Sequence, residues 1–282
     1  MTTFADYCAI EAVNWSSLKE MSRSPLHYRW HLEHPTPDTP AMQFGRAAHC
    51  AALEPDEFAR RYVLWPDAAG RRYGKAWDEF CAANEGKEAL READYGRALA
   101  VRDAVRANQD AHALLEGCQT EVTLTWTDAE TDIACKARLD AYKPDALIDL
   151  KTSADIEAQH FGRTAARLLY HGQLAYYHAG ACSCAGLVDL PVRIIAVEAE
   201  PPHDVCVYEV SDDDLWAGME LVQDLLAQLR RCRDTDSWLG RYVGPQPLWL
   251  PGWVFAEGGG DDFDLQVGPQ SAYVLANTGG LP

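Results

Sequence analysis

Cys135-Lys-Ala-Arg-Leu-Asp140-Ala-Tyr-Lys-Pro-Asp-Ala-Leu-Ile-Asp149-Leu-Lys151-Thr-Ser153 is the stretch that decides how this chain reads. Ile133 to Tyr142 and Ala146 to Lys151 have the apolar, β-branched and aromatic content of strands, and Lys143-Pro144-Asp145 supplies a turn between them. Successive side chains of a strand alternate between faces, so Asp149 and Lys151, two apart, share one face. Asp140 is expected to close the first strand, so that a short hairpin brings its carboxylate beside Asp149.

Two carboxylates held a few Å apart make a hard-oxygen site suited to Mg²⁺ or Mn²⁺. A lysine beside such a cation can orient or deprotonate a water, or stabilise charge developing on a phosphate. Those are the parts that metal-assisted phosphodiester hydrolysis needs. Asp-x-Lys is common by chance, and the same residues also read as charges scattered on a surface hairpin. The surrounding Ala-Leu-Ile-Asp149-Leu-Lys151 argues for the site, because ions in an apolar strand are costly unless paired or metal-bound.

Working outward, Gln119 to Thr127 alternates like a strand ahead of this hairpin, and Val192 to Glu200 and Val205 to Val210 read as two more. Ile156 to Arg167, Leu168 to Gly180 and Asp212 to Arg233 carry helical periodicity. Before the strands the chain is helical. Asn14 to His34 predicts two short helices, with Ser24 as N-cap and Pro25 at the first helical position of the second. Met42 to Leu53 is a helix whose small residues allow close packing, Asp56–Arg61 and Lys75–Ala83 are further helices, and Asp94 to Leu115 predicts an amphipathic helix pair. Beyond Trp238 the periodicity ends, and an extended tail with a disordered end is expected.

The 282 residues suffice for one large domain or a domain with appendages, and 48% hydrophobic with 24% charged residues is ordinary for a globular protein. No apolar run reaches the ~18 residues of a membrane span. Met1 to Ile10 has neither the basic nor the apolar region of a secretory signal, so a cytoplasmic protein without membrane attachment is expected. The nine cysteines include no Cys-x-x-Cys, which disfavours a zinc ribbon and predicts reduced thiols, mostly in the core. Net charge is −18, from 25 Lys+Arg against 43 Asp+Glu, which by itself opposes nucleic-acid binding. The imbalance is uneven: acids gather late, at Asp212-Asp-Asp214 and Asp261-Asp-Phe-Asp264. Bases gather earlier, at Arg60-Arg61, Arg71-Arg72 and Lys136 to Lys151, which leaves room for a local positive channel on an acidic body.

Arg138-Leu-Asp140 followed by Leu-Ile-Asp149-Leu-Lys151-Thr-Ser153 resembles the PD-(D/E)XK nuclease superfamily. Within it the chain is similar to RecE-type (exodeoxyribonuclease VIII-like) exonucleases, and more loosely to lambda exonuclease and RecB nuclease domains. Asn14-Trp-Ser-Ser-Leu18, Met42-Gln-Phe-Gly45-Arg-Ala-Ala-His49, Gly74-Lys-Ala-Trp77 and Tyr170-His-Gly-Gln173-Leu-Ala-Tyr-Tyr177 resemble RecE-type blocks in the same order, so that the likeness spans about residues 10 to 235.

The resemblance implies an α/β fold with a restriction-endonuclease-like core, a small mixed sheet flanked by helices, behind a helical N-terminal portion. It implies one exonuclease domain over 1–237 (helical part 10–117, sheet core 118–237) and a tail over 238–282. Asp140 and Asp149 would be metal ligands and Lys151 the catalytic lysine. Asp149 stands where the family commonly has Glu, one methylene longer. His49 would add a metal ligand and Glu121 another carboxylate. Gln173 and Tyr177, four apart on a helix face, would position DNA or water, and Arg46 would meet a terminal 5′ phosphate.

The cofactor implied is Mg²⁺ or Mn²⁺, without an iron–sulfur cluster, since no cysteines crowd the C-terminus. The implied activity is digestion of linear double-stranded DNA, 5′ to 3′, leaving single-stranded tails for recombination. The implied setting is bacterial or phage-encoded: a homo-oligomeric ring on duplex ends, with a single-strand annealing protein as partner. A catalytically inactive DNA-end-binding module and a structure-specific endonuclease on the same fold remain open alternatives.

Overall fold

The computed structural model describes residues 3–34, 37–187, 189–242 and 244–251. It divides into two compact units, Met1–Arg241 and Tyr242–Pro282. The described residues of the second, 242 and 244–251, contain no helix or strand. Most of the tail expected from 238 onward therefore lies outside the described residues.

The first unit opens with helices α1 (Phe4–Ala9), α2 (Trp15–Leu18), α3 (Pro25–Glu33), α4 (Pro40–Leu53) and α5 (Pro55–Arg61). Strand β1 (Tyr62–Trp65), α6 (Lys75–Ala83), β2 (Glu88–Arg91), α7 (Glu92–Ala107) and α8 (Gln109–Leu115) follow. The core strands come next: β3 (Gln119–Thr127), β4 (Ala134–Lys143) and β5 (Ala146–Ser153). Helices α9 (Ala158–Arg167) and α10 (Tyr170–Ala185) lead to β6 (Val192–Glu198), β7 (Val205–Glu209) and α11 (Asp212–Thr235). The expected helices and strands are present, and most of their ends shift by a few residues.

The sheet runs β3-β4-β5-β6-β7, with β5 parallel to β6 and every other neighbour antiparallel. A small mixed sheet flanked by helices is thus the observed architecture. One face packs on α10 and α11 through Leu139, Leu147, Leu174, Leu226 and Leu229. The other packs on α4 and α7 through Ile148, Leu150, Ala48, Ala51 and Val101. With both faces covered, β5 reads as the nearly continuous apolar run of a buried strand. This is why Asp149, in its middle, is only 1% exposed.

Three features were not legible beforehand. Helix α1 is closed by a capping box, Thr3 accepting from the Asp6 amide while Asp6 accepts from Thr3. A second sheet pairs β1 with β2 in parallel, although Glu88-Ala-Leu-Arg91 has a helix-forming composition. Short strands of this kind are decided by their partner rather than by propensity.

The third concerns the thiols. All nine cysteines are free, but only Cys50, Cys135 and Cys232 are buried, while Cys8, Cys81 and Cys184 are exposed. Cys118, Cys182 and Cys206 are partly buried against the cores, so six of the nine lie in or against the core, and the exceptions sit on helix faces turned to solvent.

Candidate active site

Asp140 does not close its strand. It lies inside β4, which continues to Lys143, and the tight turn Pro144-Asp145 follows. The β4–β5 ladder pairs Lys143 with Ala146, Tyr142 with Leu147 and Ala141 with Ile148, and then stops. Continued by one step it would pair Asp140 with Asp149. Instead the strands part there, and the Asp140 carboxylate takes over a backbone acceptor's duty, with Oδ2 accepting from the Leu150 amide at 2.8 Å.

The facing of β3 and β4 changes at the same level. Cys135, Ala137 and Leu139 pack on the α10 side, whereas Ala141, of the same parity, packs on the α4 side. On β3, Val122, Leu124 and Trp126 belong to the α10 side, whereas Cys118, of the same parity just before the strand, belongs to the α4 side. The register is the same on both sides of the change, Thr120 opposite Ala141 and Val122 opposite Leu139, but the pair between them, Glu121 with Asp140, is missing from the ladder. The residue between, Glu121, has a φ of +53°. A left-handed non-glycine residue within a strand costs about 1–2 kcal/mol. Here it sits opposite Asp140, so the strain coincides with the site.

Four predicted residues converge at the parting of the strands. Lys151 Nζ lies 2.5 Å from Asp149 Oδ2. Apart from this charge-assisted contact, neither buried Asp149 oxygen has a hydrogen-bond donor. His49 brings Nδ1 to 3.5 Å from Asp140 Oδ2. It is carried there by α4, whose Ala47, Ala48, Ala51 and Ala52 let the helix lie close against the sheet.

Burial pushes the Asp140 carboxyl up to about 6, with Asp149 adding to the effect while His49, Lys151 and the Leu150 amide oppose it. Burial also works to lower the Lys151 ammonium, but Asp149 and Asp140 outweigh it and hold the group above its ordinary value.

Gln173 and Tyr177 stand beside this group on α10. Gln173 Nε2 donates to the Tyr177 hydroxyl at 3.0 Å. Burial, followed by the two aspartates, raises Tyr177 far above its ordinary value, so the phenol keeps its proton.

The remaining two predicted residues are turned to other partners. Glu121 pairs with Arg138. Arg46 pairs with Asp38, and its other nitrogen is 3.5 Å from Glu88. Both still line a cleft of about 1140 Å³ that also holds His49, Lys151 and Gln173.

The basic run from Lys136 to Lys151, which left room for a local positive channel, is largely committed elsewhere. Lys136 is buried and donates to the carbonyls of Tyr7, Cys8 and Ile10. Lys143 donates to Ala113 O at 3.0 Å.

The sequence reading missed Tyr170, whose ring centre is 4.9 Å from Lys151 Nζ. Its place three residues before Gln173, on the same helix face, could have found it. It also missed Glu54, which lines the cleft and is raised by burial and by Glu121.

The donor set suits a divalent cation. Two carboxylates and an imidazole are hard or borderline ligands, and a buried carboxylate partnered by Lys151 alone keeps acceptor capacity that a cation would fill. As the side chains stand, no three acidic, histidine or cysteine groups among the described residues converge closely enough to hold one.

The family model described as "PDDEXK-like domain of unknown function" (DUF3799) matches residues 14–242. The chain belongs to this family. Nucleases of the PDDEXK kind generally use divalent metals, in keeping with the donor set.

Among solved structures, a "Putative exonuclease" from Eubacterium rectale gives a TM-score of 0.60 at 16% identity, over 88% of this chain and 96% of that one. The structure of SSO0001 gives a TM-score of 0.29 at 14% identity, over 75% of this chain and 84% of that one. The first likeness carries the PDDEXK-like fold, and the second carries no argument. No curated protein matches. Among the described residues, no helix of this PDDEXK-like chain is long and apolar enough to cross a membrane.

Proposed function

We propose that the protein is a cytoplasmic, metal-dependent deoxyribonuclease of RecE type, which digests linear double-stranded DNA exonucleolytically. The observation that carries this is Asp149: a carboxylate 1% exposed, opposite Asp140, whose one polar partner is the Lys151 ammonium. Asp140, Asp149 and His49 would hold Mg²⁺ or Mn²⁺, and Glu121 could join by leaving Arg138. The cation would polarise a phosphate oxygen and ease deprotonation of a water.

The protein's own groups do the rest. Lys151, kept protonated by its aspartates, steers a water or offsets charge on the scissile phosphate. Gln173 and Tyr177, locked together, present polar hydrogens along the cleft wall. Arg46 meets a terminal 5′ phosphate once it exchanges Asp38 for the ligand.

Polarity from 5′ to 3′, single-stranded tails for recombination, a homo-oligomeric ring on DNA ends, a single-strand annealing partner and a phage or bacterial setting rest on the resemblance of the sequence blocks. A ring with an acidic exterior would reconcile a charge of −18 with DNA in its lumen. The test is Mg²⁺-dependent digestion of linear duplex labelled at either end, with and without a 5′ phosphate. Release from the 5′ end of linear DNA, with closed circles untouched, supports the proposal. Cleavage of circles would move it to a structure-specific endonuclease.

One observation favours a second reading, an inactive DNA-end-binding module: Lys151 already neutralises Asp149 at 2.5 Å. Calorimetric titration with Mn²⁺ separates the two, because a silent site gives no tight binding that depends on Asp140.

A further inference from the structure

A second pocket, of about 290 Å³, lies on the other side of the N-terminal half of α4 from the catalytic cleft. Helix α4 divides them: Met42, Gly45, Arg46 and His49 line the cleft, while Pro40, Gln43 and Phe44 line the second pocket. Glu88 lines both.

Three cations, Arg72, Lys87 and Arg91, surround the second pocket. In a chain with 43 acids and 25 bases, a basic side chain ordinarily finds a carboxylate. Arg72 and Arg91 are exposed and make no ion pair within 4.0 Å among the described residues. The acids lining the pocket are engaged elsewhere, Asp94 with Arg97 at 3.3 Å and Glu88 with Arg46 at 3.5 Å.

Arg72 is held in place. Its guanidinium lies 5.6 Å from the centre of the Trp77 ring, and Trp77 packs against Trp65 and Phe80 on its other sides. The aromatic group packed around Trp77 orients the arginine. Burial and then the neighbouring Arg91 lower Arg72, and Asp94 and Glu88 only partly offset them. The two guanidinium groups thus lie within electrostatic reach of each other, with both acids at longer range. Two like charges kept together with no carboxylate in direct contact suit an anion.

We infer that Arg72 and Arg91, assisted by Lys87, grip the phosphate backbone of the DNA substrate at a point remote from the scissile bond. The ligand class is a phosphodiester of nucleic acid, and the inference rests on the nuclease reading above. Gln43 is six residues before His49 on α4, so the grip lies about 9 Å along the helix axis from the metal-ligating candidates. That is on the order of two to three base-pair steps of duplex. The cations set register and affinity and take no part in the chemistry.

The test measures binding of fluorescein-labelled linear duplex to the full chain by anisotropy in EDTA, over a range of NaCl, for wild type, Arg72→Gln/Arg91→Gln and Arg72→Lys/Arg91→Lys. Each lost phosphate contact lowers the slope of log affinity against log salt by about 0.9, so the Gln pair should lose about 1.8. The Lys pair should keep the wild-type slope. With Mg²⁺, KM should rise on the order of tenfold for the Gln pair at physiological salt, with kcat unchanged.

A wild-type slope and KM in the Gln pair overturns the inference, as does an equal loss in the Lys pair, which would mark a structural effect. Digestion by the wild type with no change in the Gln pair sinks the grip and spares the nuclease. Binding that depends on the arginines without any digestion by the wild type does the reverse. Absence of DNA binding by the wild type sinks both.

Discussion

Removing the Lys151 ammonium should unbalance the site in a way that depends on pH and on metal. Lys151 is the cation in contact with Asp149, and Asp149 has no other donor to fall back on. Lys151→Ala therefore leaves two neighbouring carboxylates in a buried place, with only His49 and the Leu150 amide to offset them. Breaking a buried ion pair from one side costs about 3–5 kcal/mol. For a domain of this size each kcal/mol is worth roughly 2–4 °C, so metal-free Lys151→Ala should melt about 10 °C below wild type at neutral pH.

The deficit has a sign. Carboxyls raised in the folded state contribute stability that is complete below their unfolded pKa and is lost as pH rises through the folded value. Asp140 already sits at about 6 with Lys151 present. Without it Asp140 should rise further, so the variant's deficit should shrink as pH falls below about 6. A divalent cation should recover most of the deficit at neutral pH, because it replaces the missing positive charge. Differential scanning calorimetry at several pH values, with EDTA and then with Mn²⁺, measures all three effects. A variant as stable as wild type in EDTA at neutral pH would refute the claim that Asp140 and Asp149 share a buried site compensated by Lys151.

In metal-free wild type, Asp140 alone should make stability fall as pH climbs from about 4 through about 6. The loss should be about 3 kcal/mol, readable by urea melts across that range, and an opposite slope contradicts it. Glu121→Gly should be more stable than Glu121→Ala by about 1 kcal/mol, since both lose the Arg138 pair but only glycine relieves the +53° φ; equal melting points would dispose of the strain. Gly218→Ala should cost at least about 2 kcal/mol, because its Cβ would come within 2.2 Å of the His171 carbonyl oxygen and force α11 off α10; a near-neutral melt would mean the helices slide freely. Gln173→Ala should lower kcat on linear duplex by about tenfold or more without shifting the melting point, and an unchanged kcat would leave Gln173 as an ordinary helix residue.

The architecture was legible where one side of an element decides its structure. Val122, Leu124 and Trp126 alternate, Leu215, Met219, Val222 and Leu226 recur at helical spacing, and Pro25 follows the capping Ser24. The convergence of Asp140, Asp149 and Lys151 was legible because hairpin register and strand alternation are local rules. What failed depends on contacts between distant segments. The β1–β2 pairing needs residues 62 and 88 to meet, and no local pattern marks Glu88-Ala-Leu-Arg91 as a strand. Asp140 sits inside its strand rather than at its end, because β4 continues past the point where β5 peels away. The left-handed backbone at Glu121 violates the alternation used to read β3, and glutamate gives no warning of it. The destinations of Lys136 and Arg46 were equally hidden, since their partners lie in α1 and β2 or in the segment before α4.

Mg²⁺-dependent release of nucleotides from linear duplex DNA, compared between wild type and folded Asp140→Asn and Lys151→Ala proteins, tests the central claim most directly. Release by wild type that is abolished by chelation and lost in both variants is the predicted result. Undiminished release by both variants would mean that the buried aspartates and their lysine do not form the hydrolytic centre.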